Sequence, residues 1–307
     1  MQTIIKKRIG ILRGGAGEHY NSSLKKGGDI ISYISENLAD RYQPVDILID
    51  KDYLWHINGL PVSASDLVNK IDVGWNFSHP SFSNILESLS IPHMGSEGFL
   101  GTLQNNRSML REHMKMAGIN MTRHLVLPVY QTDFDGPRER YAIKKAKEVF
   151  EKFGSPWIVK SFTPDANMGI HLAKTFPELV SAIEDGVEHE NSILVEEFIP
   201  GKIASIHSVP HFRGQELYTF PLGNTFGDFT SNEREIMNTL VKNLRNHLGV
   251  SHYLKSDLVV NPRGKVYLLG VESSPNLKPD SHFSQVCELA GVKPHDVIHH
   301  ILEQTLQ

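Results

Sequence analysis

One cysteine, Cys287, is all the chain carries in 307 residues, which excludes an intramolecular disulfide and fits a reducing compartment. Long apolar runs are missing as well. No stretch approaches the roughly 20 residues that cross a bilayer. Neither charge sign is in excess: 31 basic against 35 acidic residues leave a net charge of -4. No long basic run is present, so a nucleic-acid partner is not expected. The metal-site spacings H-E-x-x-H and C-x-x-C are absent, and the 16 histidines are scattered. His299 and His300 are adjacent, so they point about 100° apart on a helix and cannot chelate one ion together. The phosphate-binding pattern G-x-x-x-x-G-K-S/T is also absent. A dinucleotide fingerprint starting at Gly14-Gly15-Ala16-Gly17 would need a third glycine at position 20, which is tyrosine.

What is there is ordinary for a soluble globular protein: 40 % hydrophobic and 21 % charged residues. The length suffices for two or three compact units. Ile4-Ile5-Lys6-Lys7-Arg8 leads straight into a strand-like run with no signal-peptide pattern, so a cytoplasmic location is expected. Cys287 reads as a buried thiol on a helix rather than a nucleophile.

Apolar runs at 8–12, 45–49 and 71–75 alternate with helical patterns at 23–38 and 80–89. Such βα alternation argues for a parallel sheet with helices on both faces. A long helical pattern over 99–117 leads into a middle segment. That segment has a helix at 139–153, a strand at 157–160, a loop to Gly169, a strand at 170–172 and a helix at 176–188. β-rich runs follow at 192–199, 203–209 and 217–221. The helix at 232–248 meets Gly249, a favoured C-cap. Two strands, 253–260 and 265–272, flank Asn261-Pro262-Arg263-Gly264, which has turn chemistry. Two helices close the chain, with Gly291 and Pro294 between them.

Four stretches carry candidate chemistry. Gly14-Gly15-Ala16-Gly17 could cradle an anion or form a tight turn. Lys160 leaves its strand into a flexible loop, where a lysine reaches phosphate as a point charge or snorkels. Glu196-Glu197-Phe198 follows an apolar strand, and could frame a nucleobase or be a solvated strand end. The hairpin is the most informative. With Pro262-Arg263 as a two-residue loop, Lys255 pairs with Gly270, Tyr253 with Glu272 and Asp257 with Leu268. Alternation then puts Lys255, Asp257, Gly270 and Glu272 on one face. Two acids and a lysine there suggest a metal–phosphate site.

Together these pieces resemble the ATP-grasp superfamily, and most closely the D-alanine–D-alanine ligases. The likeness runs nearly end to end. It rests on Leu12-Arg13-Gly14-Gly15 with Ser23 and Gly27, Gly95-Ser96-Glu97-Gly98, 156–169, Leu194-Val195-Glu196-Glu197-Phe198, Ser256-Asp257-Leu258, Tyr267-Leu268-Leu269 and Ser273-Ser274-Pro275. It implies an α/β ATP-grasp protein in three parts: an N-terminal Rossmann-like domain (1–95), a central α+β lid (96–188) and a C-terminal α+β domain (189–307). It implies a carboxylate–amine ligase that works through an acyl phosphate and serves peptidoglycan biosynthesis. ATP and Mg²⁺ are the implied cofactors, with one ion or weak metal binding. Small amino acids are the implied substrates, and a homodimer is common in the family.

Residue by residue, the resemblance assigns Arg107, Lys160, Glu196, Glu197, Phe198 and Leu269 to the nucleotide. Asp257 and Glu272 would hold metal. Lys255 stands in for an arginine near the oxyanion and substrate carboxylate. Ser281 would meet the second substrate's carboxylate. Glu18, or His19, aligns with the family's catalytic glutamate. The chain also departs from the pattern. Asp165 and Ala166 stand where the loop is rich in serine and glycine, and Ile203 stands where an acid meets ribose. The loop between Phe220 and Ser231 is short and has no lysine. Gly270 replaces the glutamate that bridges two metals. With Asp257 opposite Leu268, Glu272 would lie roughly 13–14 Å along the strand, at about 3.4 Å per residue. Two readings follow: an active ligase, or a catalytically impaired homologue that binds nucleotide or serves a regulatory role.

Overall fold

The computed structural model describes residues 6–17, 19–95, 98–104, 106–132, 134–162, 168–189, 192–223 and 228–307. The chain forms two compact units, one from Met1–Ile119 with Lys202–Gln307 and the other from Asn120–Gly201.

The discontinuous unit begins with β1 (Lys7–Gly14), α1 (Tyr20–Asn37) and β2 (Tyr42–Ile49). A short hairpin follows, β3 (Trp55–Ile57) and β4 (Leu60–Val62), then β5 (Val73–Asn76), α2 (Ser81–Ser88) and β6 (His93–Gly95). The sheet order is β4-β3-β2-β1-β5-β6, parallel from β2 to β6 and antiparallel in the added hairpin. Ile9 and Ile11 of β1 enter one core with Ile30 and Ile34 of α1, while Leu12 enters a second with Phe82 and Leu86 of α2. Both faces of the sheet are therefore covered, as the run of apolar residues in β1 requires.

The single helix expected over 99–117 is two helices, α3 (Gly98–Gln104) and α4 (Arg107–Met116). Asn106 interrupts it. Its backbone is extended and its side chain accepts a hydrogen bond from the Met109 N–H, which caps α4.

The continuous unit contains β7 (His124–Leu127), α5 (Arg138–Lys152), β8 (Trp157–Ser161), β9 (His171–Ala173), α6 (Phe176–Glu188) and β10 (Ile193–Glu197). Its antiparallel sheet runs β7-β10-β8-β9. Tyr141 and Val149 of α5 and Ile183 of α6 bury against Trp157 and Val195. The division expected at 188/189 falls between α6 and β10, two elements of this one unit.

The chain then rejoins the first unit through β11 (Lys202–Pro210), β12 (Leu217–Thr219), α7 (Ser231–Leu248), β13 (Leu254–Val260) and β14 (Val266–Glu272). These strands form an antiparallel sheet in the order β12-β11-β13-β14. Gly249 ends α7 in the left-handed region, φ +65°. Two last helices, α8 (His282–Leu289) and α9 (Pro294–Thr305), share a core with β1: Phe283 and Ile301 cluster with Ile9 and Ile11. His299 Nδ1 meets the Tyr42 hydroxyl at 2.7 Å, and His300 Nε2 meets the Pro210 carbonyl at 2.9 Å, so both histidines are satisfied structurally.

The hairpin register differs from the two-residue loop. The first pair is Val260 with Val266, and Asn261 closes the longer loop through its side chain, which accepts from the Arg263 and Lys265 N–H groups. Gly264 takes φ +76° within it. A bulge then shifts the pairing between Asp257 and Leu258, leaving Leu269 as the extra residue. The result pairs Asp257 with Gly270 and Lys255 with Glu272.

Candidate functional site

Strand alternation gives the C-terminal sheet one polar face. Ile203, Ser205 and His207 line it from β11, Lys255 and Asp257 from β13, and Gly270 and Glu272 from β14. Because of the corrected register, Glu272 is diagonal to Asp257 rather than four residues along. Diagonal neighbours stand about 7–8 Å apart, within reach of a shared cation. Lys255 supplies one: its Nζ lies 3.2 Å from Asp257 and 3.2 Å from Glu272. Burial works against the Lys255 charge, but Glu272 and then Asp257 outweigh it and raise the ammonium above its ordinary range. Ser205 Oγ also donates to Asp257.

Gly270 occupies the place opposite Asp257. It is not at positive φ, and a Cβ added there would meet only Arg107 Nη1, at 3.7 Å. Arg107, first residue of α4, thus joins the cluster. Among the described residues no group of three or more His, Cys, Asp or Glu is arranged to hold a metal. Two carboxylates on one face fit a single divalent cation completed by oxygens from another molecule. They do not fit a pair of ions sharing a bridge.

Ser281 is the N-cap of α8. Its hydroxyl donates to the Asn276 carbonyl at 2.7 Å and accepts from the Ser284 N–H, and the residue is 8 % exposed. That hydroxyl is engaged by the fold. Glu18 and Asp165 lie outside the described residues, as does the loop at 224–227. His19 stands at the N-cap of α1.

The glycine loop serves the turn. An added Cβ at Gly14, φ +93°, would come 2.2 Å from the Ile49 carbonyl. The Gly14 N–H donates to Ser23 Oγ, and Ser78 Oγ donates to the Gly14 carbonyl, each at 2.8 Å. Only glycine fits here, and that N–H is not offered to an anion.

In the continuous unit, Lys160 of β8 and Glu196 of β10 are drawn together: Nζ to Oε2 is 2.7 Å, with Glu196 6 % exposed. Thr122 Oγ1 also donates to Glu196, at 3.3 Å. Glu197 accepts from Arg123 in a two-pronged pair at 2.8 and 2.9 Å, which raises the Arg123 guanidinium. The Glu197 N–H donates to the Arg123 carbonyl and the Phe198 N–H to the Pro156 carbonyl. The lysine and glutamate that the sequence singled out are neighbours on one sheet.

Sequence reasoning missed Ser205, His207 and His282. The first two lie on β11 at alternate positions facing Asp257 and Lys255. That alternation was readable once β11 was paired to β13, but the pairing itself is not written in either strand alone. Cys287 is fully buried, and burial pushes its thiol up to about 12, as befits a structural residue. Among the described residues no helix is long and apolar enough to cross a membrane.

Residues 114–207 match the family described as the D-ala D-ala ligase C-terminus. The D-alanine–D-alanine ligase of Geobacter sulfurreducens is 25 % identical over 320 residues, covering 96 % of this chain and 93 % of that protein. D-alanine–D-alanine ligase B of Pseudomonas putida is 23 % identical, covering 97 % and 93 %. Among solved structures, the VanG D-Ala:D-Ser ligase of Enterococcus faecalis superposes with a TM-score of 0.71 at 15 % identity, over 98 % of this chain and all of that one (100 %). The D-alanine–D-alanine ligase of Bacillus anthracis complexed with ATP gives 0.67 at 20 % identity, over 98 % and 97 %.

Proposed function

From the premise that this chain is a D-alanine–D-alanine ligase-like protein with the ATP-grasp fold, we propose that it is an ATP-dependent carboxylate–amine ligase. The observation that carries this reading is the Lys255–Asp257–Glu272 cluster, a cation and two acids on one sheet face. A carboxylate oxygen of one amino acid attacks the γ-phosphorus of ATP. The bond from that phosphorus to the β–γ bridging oxygen breaks, and ADP leaves with an acyl phosphate formed. The amine of a second amino acid attacks the acyl carbon, loses a proton to solvent and expels inorganic phosphate. D-alanine is the first candidate for both substrates, from the names of the relatives.

Within this reading, Lys160 contacts phosphate and Glu196 faces the base, both having to leave their mutual pair when nucleotide binds. Glu197, Phe198 and Leu269 are the other residues that the resemblance assigns to the nucleotide. Lys255 and Arg107 bear on the charge that grows during phosphoryl transfer. Asp257 and Glu272 would hold one Mg²⁺, which supplies neutralisation of phosphate charge when bound. Lys255 must then release at least one of the two carboxylates. Glu18 keeps the catalytic role that the resemblance gives it, while Ser281 would reach the second carboxylate only by giving up its bond to the Asn276 carbonyl. A cytoplasmic location goes with a substrate as common there as ATP.

The test is phosphate release with ATP, Mg²⁺ and a panel of D- and L-amino acids. Release that needs all three components is the expected result. No release with any amino acid, by a chain that binds ATP in calorimetric titration, would replace this reading by the nucleotide-binding homologue.

A further inference from the structure

A second polar array lies on the same face, built from neutral groups. His207 is 2 % exposed and both its ring nitrogens are engaged. Nδ1 meets the Tyr253 hydroxyl at 2.6 Å, and Nε2 meets His282 Nδ1 at 2.7 Å. The two imidazoles stack, with centroids 5.0 Å apart and planes 22° from parallel, and Phe283 packs against His207. Burial pushes His207 down to about 2, with His282 and Lys255 adding to it, so the ring is neutral. Burial holds Tyr253 well above its ordinary range, so it keeps its proton.

Hydrogen bookkeeping along this array has one solution. Tyr253 is buried, and its hydroxyl has no other hydrogen-bond partner among the described residues. A buried hydroxyl proton without an acceptor is strongly unfavourable, so the O–H points at His207 Nδ1. A neutral imidazole has one N–H, which for His207 must then sit on Nε2 and donate to His282 Nδ1. His282 is left with its own N–H on Nε2. That nitrogen has no hydrogen-bond partner among the described residues, and it faces Gly223, where an added Cβ would stand 2.9 Å away. His282 is half-buried. Burial lowers its pKa first and Lys255 next, against an opposing pull from Asp257. The outer ring therefore offers a fixed N–H donor rather than a lone pair, with the Lys255 ammonium close enough to bear on it. Such a combination suits an oxygen anion.

We propose that His282 Nε2–H binds a carboxylate oxygen of an amino-acid substrate, with His207 and Tyr253 as positioning residues that hold the donor tautomer. The identity of the ligand rests on the ligase reading; the donor tautomer does not. Ser281, beside it, has its hydroxyl engaged in capping α8, so His282 is the group on this turn with a donor to give.

Histidine-specific ¹⁵N NMR on the full chain at neutral pH tests the tautomer. The expected His282 signals are a protonated Nε2 and an acceptor Nδ1; a protonated Nδ1 overturns the proposal. Titration with glycine, D-alanine and D-serine should shift the His282 Nε2–H for at least one of them, and D-alaninol, which lacks the carboxylate, should not. No shift with any of the three, or an equal shift with the alcohol, overturns it. His282→Leu should weaken amino-acid binding about ten- to a hundredfold, the range for a hydrogen bond to a charged group, with ATP affinity unchanged. His282→Gln, whose amide N–H reaches the place of Nε2, should keep most of the binding. Tyr253→Phe should mix the His282 tautomers. Unchanged binding in a folded His282→Leu protein counts against the proposal. A carboxylate-dependent shift without amino-acid-dependent phosphate release removes the ligase reading and leaves the binding site. Release without a shift does the reverse.

Discussion

Replacing Gly270 by glutamate puts a carboxylate directly opposite Asp257. The backbone accepts it, since Gly270 is outside the left-handed region and an added Cβ makes only an ordinary contact, 3.7 Å to Arg107 Nη1. Directly opposed residues on antiparallel strands hold their Cβ atoms about 4.5–5.5 Å apart. Two carboxylates span that distance around an ion whose oxygen ligands lie near 2 Å. Unit charges 4 Å apart attract by about 1 kcal/mol in water and about 4 kcal/mol at an effective dielectric of 20. The double charge of the cation raises this, and Arg107 beside the new carboxylate takes about one unit back. The net gain is on the order of 1–4 kcal/mol, so a divalent cation should bind at least about fivefold more tightly, and up to several hundredfold. Mn²⁺ titration followed by electron paramagnetic resonance, with a non-hydrolysable ATP analogue present, reads this directly. Gly270→Gln has the same bulk without the charge and should give no gain. If folded Gly270→Glu and Gly270→Gln proteins bind Mn²⁺ alike, position 270 does not face the ion, and the bulged register at Leu269 is wrong.

Stability should fall on acidification from pH 7. Burial holds His207 at about 2 and His252 at about 4 against an ordinary 6.5, so below about 6.5 the unfolded chain takes up protons that the folded one refuses. Each histidine then removes up to about 1.4 kcal/mol per pH unit, over the window from about 6.5 to about 4 for His252 and further for His207. Urea unfolding at pH 7 and pH 5 measures this, and equal stabilities at the two values would show that neither ring is buried neutral. Gly14→Ala should destabilise by at least about 2 kcal/mol, from backbone strain plus the clash with the Ile49 carbonyl; a thermal scan that matches the parent would exclude the tight turn. Asn106→Ala should remove about 1 kcal/mol by uncapping α4, seen as earlier hydrogen exchange at Arg107 to Met109, and unchanged exchange there would mean the cap is not formed.

The repeating parts of the fold were legible in sequence because their periods are physical. The parallel strands of the first sheet, the helix α6 and the Gly249 stop of α7 all follow from patterns a few residues long. The hairpin of β3 and β4 was not, because three-residue strands are too short to show alternation. The break at Asn106 hid inside apolar spacing that continues across it. For the site, alternation put Lys255, Asp257, Gly270 and Glu272 on one face, but the pairing needed a loop length and a bulge that no local pattern announces. An error of two residues in register was enough to separate Glu272 from Asp257 on paper by nearly twice their diagonal spacing. The histidine array was invisible for a related reason, since its members come from β11, the residue just before β13 and α8, with 75 positions between His207 and His282.

The interleaving of the two units bears on how the molecule is made. Asn120–Gly201 closes its own core from one contiguous stretch, so it can fold as soon as it has been synthesised. The discontinuous unit cannot. Ile9 and Ile11 wait for Phe283 and Ile301 to complete their cluster, and the Tyr42 hydroxyl waits for Glu303. A ribosome at a typical 5–20 residues per second needs on the order of 15–60 s to deliver those partners. For that interval the side of β1 and α1 that packs against α8 and α9 stays uncovered, which makes the nascent N-terminal segment a place for a chaperone to bind.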